Sequence, residues 1–249
     1  MKYLMFLFCF IFSLSVKAQK SEGSIRYLVT HSWTKKMAAL SYISKQQKEK
    51  QQYMFAGRDE WKNYNLLFFN DKETKYINSD EKADPNDDDT YSGRSEVFVL
   101  QRNYEKNTRN DDIDILSKTY IIEDTLAKPE WKILNDIKDV AGHLCMKATT
   151  NDSIRLEKIV AWFAMDMPLS GGPDRFYGLP GMILEVDIND GGMLITADKI
   201  DIKSVVDELS KTKKIKGKKV NSTQYDALLN DHIKGKVKEE QYPYWGIGY

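Results

Sequence analysis

Apolar residues along this chain recur mostly at every second position in short runs, a period that places alternate side chains on opposite faces of a strand. β-Branched and aromatic runs of this kind occupy residues 23–30 (GSIRYLVT), 95–104 (SEVFVLQRNY) and 118–124 (KTYIIED). Residues 65–78 (NLLFFNDKETKYIN) predict a hairpin that turns at Asn70, Asp71, Lys72 and Glu73. Further strands are expected in EWKIL, AGHLCMKATT, LEKIVAWFAM (156–165), GMILEVDI (181–188) and MLITADKIDI, the last two separated by a turn at 189–192. In 156–165 both phases are apolar: Ile159, Ala161, Phe163 and Met165 face one way, Val160, Trp162 and Ala164 the other. A strand of that type is central and needs cover on both sides. Residues 181–188 are one-sided, with Met182, Leu184, Val186 and Ile188 opposite Glu185 and Asp187.

Helical spacing occurs twice. Residues 34–52 lack Gly and Pro and space Met37, Leu40, Tyr42 and Ile43 ahead of a charged tail. Residues 222–234 follow an N-cap at Asn221 or Ser222 and bring Tyr225, Leu228, Leu229 and Ile233 to one face. The pattern predicts an α+β fold dominated by strands: a curved, half-barrel-like antiparallel sheet with about two helices packed on it.

The first residues change the picture. Met1 and Lys2 precede an apolar run over 3–16, shorter than the roughly 20 residues that span a bilayer, and Val16 and Ala18 suit a signal-peptidase site. A cleaved leader over 1–18 and a single domain over 19–249 are expected. Export to the periplasm or to an outer-membrane-associated position follows, with no transmembrane segment left after cleavage. Two of the 37 basic residues, Lys2 and Lys17, lie in the leader, so the rest of the chain stays close to neutral. Neither nucleic acid nor an anionic membrane surface is favoured by that balance. Cys9 leaves with the leader, and Cys145 alone supports no intramolecular disulfide. The acidic loop over 79–94 does not match a calcium-binding EF-hand loop: counted from Asp84, Asp89 stands where glycine is needed and Ser95 where glutamate is needed.

Residues 171–192 (GGPDRFYGLPGMILEVDINDGG) concentrate six glycines and two prolines beside a strand. Leu179, Pro180, Gly181 and Met182 predict a type II turn, with proline presetting φ and Gly181 taking the positive φ at the third position. Gly178 is expected to relieve a close approach just upstream. Phe176 and Tyr177 are the loop's large apolar groups and either pin it to the sheet or line a site. The segment AWFAMDMPLSGGPDRFYGLPGMILEV resembles the signature of the GLPGLI family of exported bacterial envelope proteins, matched here over Gly178, Leu179, Pro180, Gly181, Met182 and Ile183. WKILNDIKDVAGHLCMKA is similar to the family as well, and Met182 stands in place of the family's second leucine. The resemblance implies an envelope protein without an assigned activity and transfers no catalytic residues.

Chemistry finds few footholds. Ser170 beside Gly171 lacks the strand–turn–helix setting of a nucleophile elbow, and no Gly-x-Ser-x-Gly occurs. His143 and Cys145 share a strand face, and with Met165 and Met167 they offer imidazole, thiolate and thioether donors suited to soft copper. Against this, methionines at strand spacing are ordinary core filler and a lone cysteine packs as a small hydrophobe. Asp166, Asp174 and Glu185 surround the loop, yet nothing fixes their separation for glycosidase chemistry. The sequence therefore points first to non-catalytic binding of an apolar or peptidic ligand, or of an envelope partner, on a concave sheet face. Trp162, Phe176, Tyr177 and Met182 are the candidate contacts, and no cofactor is expected. Soft-metal handling through His143, Cys145, Met165 and Met167 is the alternative, and hydrolysis a third. The aromatic C-terminus QYPYWGIGY either recruits a partner or docks on the sheet.

Overall fold

Strand β1 (Gly23–Ser32) lies at the middle of one open sheet of twelve strands, hydrogen-bonded on one side to β2 (Glu60–Phe69) and on the other to β11 (Met193–Ile202). The structure, a computed structural model, describes residues 22–56, 59–83, 97–211 and 215–248. The leader and most of the acidic 79–94 loop therefore lie outside the described residues. From β2 the sheet continues through β3 (Glu73–Asn78), β4 (Phe98–Asn103), β5 (Thr108–Ile115) and β6 (Lys118–Thr125) to β12 (Lys218–Val220). From β11 it continues through β10 (Met182–Ile188), β9 (Glu157–Ala164) and β8 (His143–Asp152) to β7 (Lys132–Val140). Every pairing is antiparallel except β12 with β6, so the sheet is mixed rather than wholly antiparallel, and it does not close on itself.

The predicted hairpin turns where expected. Asn70 Oδ1 accepts from the Lys72 and Glu73 amides at 2.8 and 2.9 Å, an Asx-type closure between β2 and β3. Strand β5 (TRNDDIDI) carries apolar residues only at Ile113 and Ile115, and for that reason its sequence does not announce a strand. Its Asp111 is fully buried and paired with Arg102 and Arg109, so a charge stands where pattern reading looks for an aliphatic side chain.

The helix expected over 34–52 is two helices, α1 (Trp33–Ala39) and α2 (Lys45–Met54). The break has a local cause. Ser44 accepts from the Gln47 amide while the Gln47 side chain reaches back to the Ser44 amide, a capping box that starts a new helix. Leu40, in extended conformation, and Ile43 are buried in the link, and the polar α2 buries none of its residues. With the short α3 (Val206–Ser210) and α4 (Ser222–Lys238), there are four helical segments among the described residues. Helix α4 starts at an Asn221–Gln224 capping box and buries Tyr225, Leu229 and Ile233. No helix among the described residues is long and apolar enough to cross a membrane.

Both flanks of the sheet meet the C-terminal tail. The Tyr244 hydroxyl donates to the Arg155 carbonyl, in the β8–β9 turn, at 2.6 Å. Two residues further on, the Gly246 carbonyl accepts from the Leu116 amide, in the β5–β6 turn, at 2.6 Å. Tyr244 and Ile247 are buried there. The aromatic C-terminus thus docks within the fold instead of projecting from it.

Candidate functional site

The glycine-rich stretch ahead of β10 is held by packing. Gly181 does not adopt positive φ, so the predicted type II turn is absent. A Cβ there would stand 1.9 Å from the Ala164 carbonyl oxygen, and glycine is required because the backbone passes against the end of β9. Positive φ falls instead on Gly178, at 94°. Phe176 and Tyr177 are both buried. The Tyr177 hydroxyl donates to the Ala127 carbonyl at 2.6 Å, and its own carbonyl accepts from Trp131 Nε1 at 2.9 Å. These two rings pin the loop. Met182, fully buried, belongs to the core.

Trp162 sits on the other sheet face, half-buried, with the Lys138 and Lys147 ammoniums 4.6 and 5.7 Å from its ring centroid. The second face of β9 is therefore covered by lysine side chains rather than by a second oily layer, which corrects the expectation from its apolar phase. In β10 Met182, Leu184, Val186 and Ile188 are buried as expected, and Ile183 is buried as well, where a register shift against β9 between Ile183 and Glu185 interrupts the alternation.

The four proposed soft-metal donors sit in different settings. Cys145 is buried, its Sγ directed at the His143 carbonyl oxygen at 3.4 Å, and burial pushes its thiol up to about 11. His143 Nδ1 pairs with Asp166 Oδ2 at 2.8 Å. Met165 lies beyond the end of β9 and is exposed, whereas Met167 is buried. Among the described residues no group of three or more His, Cys, Asp or Glu side chains is placed to hold a metal ion. Of the three acids near the loop, Asp166 pairs with His143, Asp174 with Arg175, and Glu185 with Lys138.

A wide concavity lies elsewhere, between the face built by β1, β2, β3 and β11 and the docked C-terminal tail. It encloses about 810 Å³, within the size range of small-molecule and peptide pockets. None of Trp162, Phe176, Tyr177 and Met182 lines it. Its aromatic end is Trp33, ringed by Phe55, Trp61, Tyr242 and Trp245 at centroid distances of 4.7–5.3 Å. Trp33 also lines a smaller adjoining cavity of about 340 Å³. The other end carries Arg155, Asp174 and Arg175.

Charged groups stand at both ends of the cavity. Lys36, buried in the last turn of α1, places Nζ 2.9 Å from His31 Nδ1 and 4.7 Å from the Trp61 ring centroid. Burial, then the Lys36 charge, hold His31 well below its ordinary pKa, so the imidazole is neutral and accepts from the ammonium. At the opposite end Arg175 pairs with Asp174 and with the buried Glu157, whose carboxyl is pushed up by burial against the pull of Arg175 and Arg155.

Sequence reasoning missed this site because its walls come from positions as far apart as His31, Trp61, Tyr76, Arg155 and Trp245. The legible signal was the unusual aromatic content of QYPYWGIGY, which admitted both docking and recruitment.

A family model described as "Protein of unknown function (Porph_ging)" matches residues 151–185, a span that contains the Gly178–Ile183 stretch. No curated protein matches the sequence. Among solved structures, the chain is similar to PNGF-II in a P21 crystal form, with a TM-score of 0.56 and 17% identity, over 84% of this chain and 33% of that one. A second PNGF-II structure, in a C2 crystal form, gives a TM-score of 0.54 and 18% identity over 84% and 32%. The chain spans about a third of the length of these PNGF-II chains. At that identity the likeness is one of fold.

Proposed function

We propose that this chain is an exported envelope protein of the GLPGLI type that holds an apolar or peptidic ligand between its sheet and its C-terminal tail, without acting on it chemically. The carrying observation is the aromatic-walled cavity of about 810 Å³ closed by Tyr242, Tyr244 and Trp245. Burying an aromatic or aliphatic group there takes apolar surface out of water, at roughly 25 cal/mol per Å². The titratable groups around the cavity support binding over catalysis. His31 is engaged by Lys36, and Asp174 and Glu157 by Arg175, so none is poised with a second group over a common reacting position. The leader-like start and the GLPG stretch support the assignment to the envelope.

The test is a titration of the purified protein with 1-anilinonaphthalene-8-sulfonate, read by probe emission and by quenching of tryptophan fluorescence. Saturable enhancement that Trp245→Ala weakens several-fold is expected. Emission no greater than that given by an unrelated folded protein of similar size would remove the reading.

A further inference from the structure

Five polar side chains, Lys36, His31, Asn63, Asn65 and Tyr76, follow one another along the cavity wall, and the hydrogen bonds from Asn63 onward run one way, toward Tyr76. Lys36 Nζ donates to His31 Nδ1 at 2.9 Å. Asn63 lies beside His31 and acts on its imidazole. Asn63 Nδ2 donates to Asn65 Oδ1 at 3.2 Å, and Asn65 Nδ2 donates to the Tyr76 hydroxyl at 2.9 Å. The Tyr76 oxygen therefore serves as acceptor and keeps its own proton. Among the described residues that proton meets no acceptor, although Tyr76 is 2% exposed. Aligned donors polarise one another, so the last O–H in such a chain is a stronger donor than an isolated phenol. On the same cavity Trp33, 5% exposed, has an indole N–H without an acceptor.

Deepening the binding reading, on which this rests, we propose that the cavity's ligand is a peptide segment whose neutral backbone carbonyls accept from Tyr76 Oη–H and Trp33 Nε1–H while an apolar side chain fills the aromatic end. Three ligand classes can be weighed on these contacts. A purely apolar chain would leave two buried donors unmet, at about 1–3 kcal/mol each. A sugar needs free flat ring faces, and these are partly spent: His31 stacks on Trp61 at 4.5 Å and 4°, and Phe98 stacks on Tyr76 at 5.4 Å and 9°. A carboxylate at Tyr76 would meet Asp174, whose charge already acts on that phenol. An amide carbonyl satisfies the donor and brings no charge. Reaching the Trp33 N–H requires the Trp245 ring, 4.7 Å from it, to turn aside; Trp245 is 44% exposed at the rim and is the least enclosed ring of the group.

The probe is N-acetyl-phenylalanyl-phenylalaninamide, titrated calorimetrically into the full chain, its Tyr76→Phe variant and its Trp33→Phe variant, with 1-anilinonaphthalene-8-sulfonate and maltotriose run in parallel. Tyr76→Phe and Trp33→Phe are each expected to weaken the peptide about tenfold, the effect of one lost hydrogen bond, and to weaken the naphthalene probe by a clearly smaller factor. If the naphthalene probe binds and the peptide does not, or binds all three proteins equally, the peptide assignment falls while the cavity reading stands. Maltotriose binding that Tyr76→Phe weakens would overturn the assignment in favour of a sugar. Failure of all three probes removes both readings. Circular dichroism melts accompany each variant, and if Tyr76→Phe does not fold, Trp33→Phe is read by the same criteria.

Discussion

The β9–β10 corner and the tail-roofed cavity are built from similar materials, glycines and aromatic rings, and they use them in opposite ways. At the corner, Gly181 and the buried Phe176 and Tyr177 bring backbone and rings into contact until no space remains. At the cavity, the rings of Trp33, Trp61 and Trp245 lean on one another around a hollow, and buried donors stay unmet. A motif that stands out in sequence is thus not the place where the molecule has room for a ligand. Close packing singles out residue types in one short window, whereas a hollow is a property of distances between remote segments.

Four changes bear on that contrast. The largest effect is expected from Gly181→Ala, which drives a methyl into the Ala164 carbonyl and lowers the urea-unfolding free energy by about 3 kcal/mol, the upper end for overpacking. If the midpoint barely moves, the corner is not the tight joint described. Second is the acid side of the stability profile. Folded His31 stays neutral because burial and then Lys36 lower its pKa, while the unfolded chain takes up that proton below about pH 6.5. Its contribution is therefore complete above that pH and is lost as the pH falls, with a slope of up to about 1.4 kcal/mol per pH unit. Lys36, Trp61 and Asn63 are its neighbours, and His31→Phe should flatten that part of a pH series of urea melts.

Third, Gly178→Ala sets the new methyl in ordinary van der Waals contact with Pro129 and Lys128 but forces alanine to φ of 94°, which should cost about 1 kcal/mol in the same urea assay. The order of Gly181 above Gly178 is itself informative, because a type II turn at 180–181 predicts positive-φ strain at Gly181. The smallest stability effect belongs to Trp245→Ala, below about 1 kcal/mol for a rim residue, and yet it should reduce naphthalene-probe binding several-fold. A large loss of stability without a loss of binding would make the tail a structural strap and move the ligand elsewhere.

Much of the sheet was legible because a period of two survives any tertiary arrangement. The hairpin at Asn70, the core face of β10 and the N-capped α4 each depend on residues within a few positions of one another. The failures share one cause. Strand β5 hides a buried Asp111 whose partners, Arg102 and Arg109, make the burial tolerable only once β4 lies alongside. The single helix over 34–52 was divided by Ser44 and Gln47, a capping box visible in sequence but outweighed by the uninterrupted helical spacing. Trp162 and Met165 fit an apolar phase, but lysines cover one and solvent meets the other.

From its sequence alone most of this protein's strands, its hairpin and the site of its last helix could be read, because each is set by neighbours along the chain. Tertiary structure decided which face of each strand is covered, that Gly181 serves close approach rather than a turn, and that His31, Asn63, Asn65 and Tyr76 line one hollow with Trp33. Those outcomes depend on pairing β1 with both β2 and β11 and on docking the tail across two distant turns. Contacts of that range carry no period and no local signature.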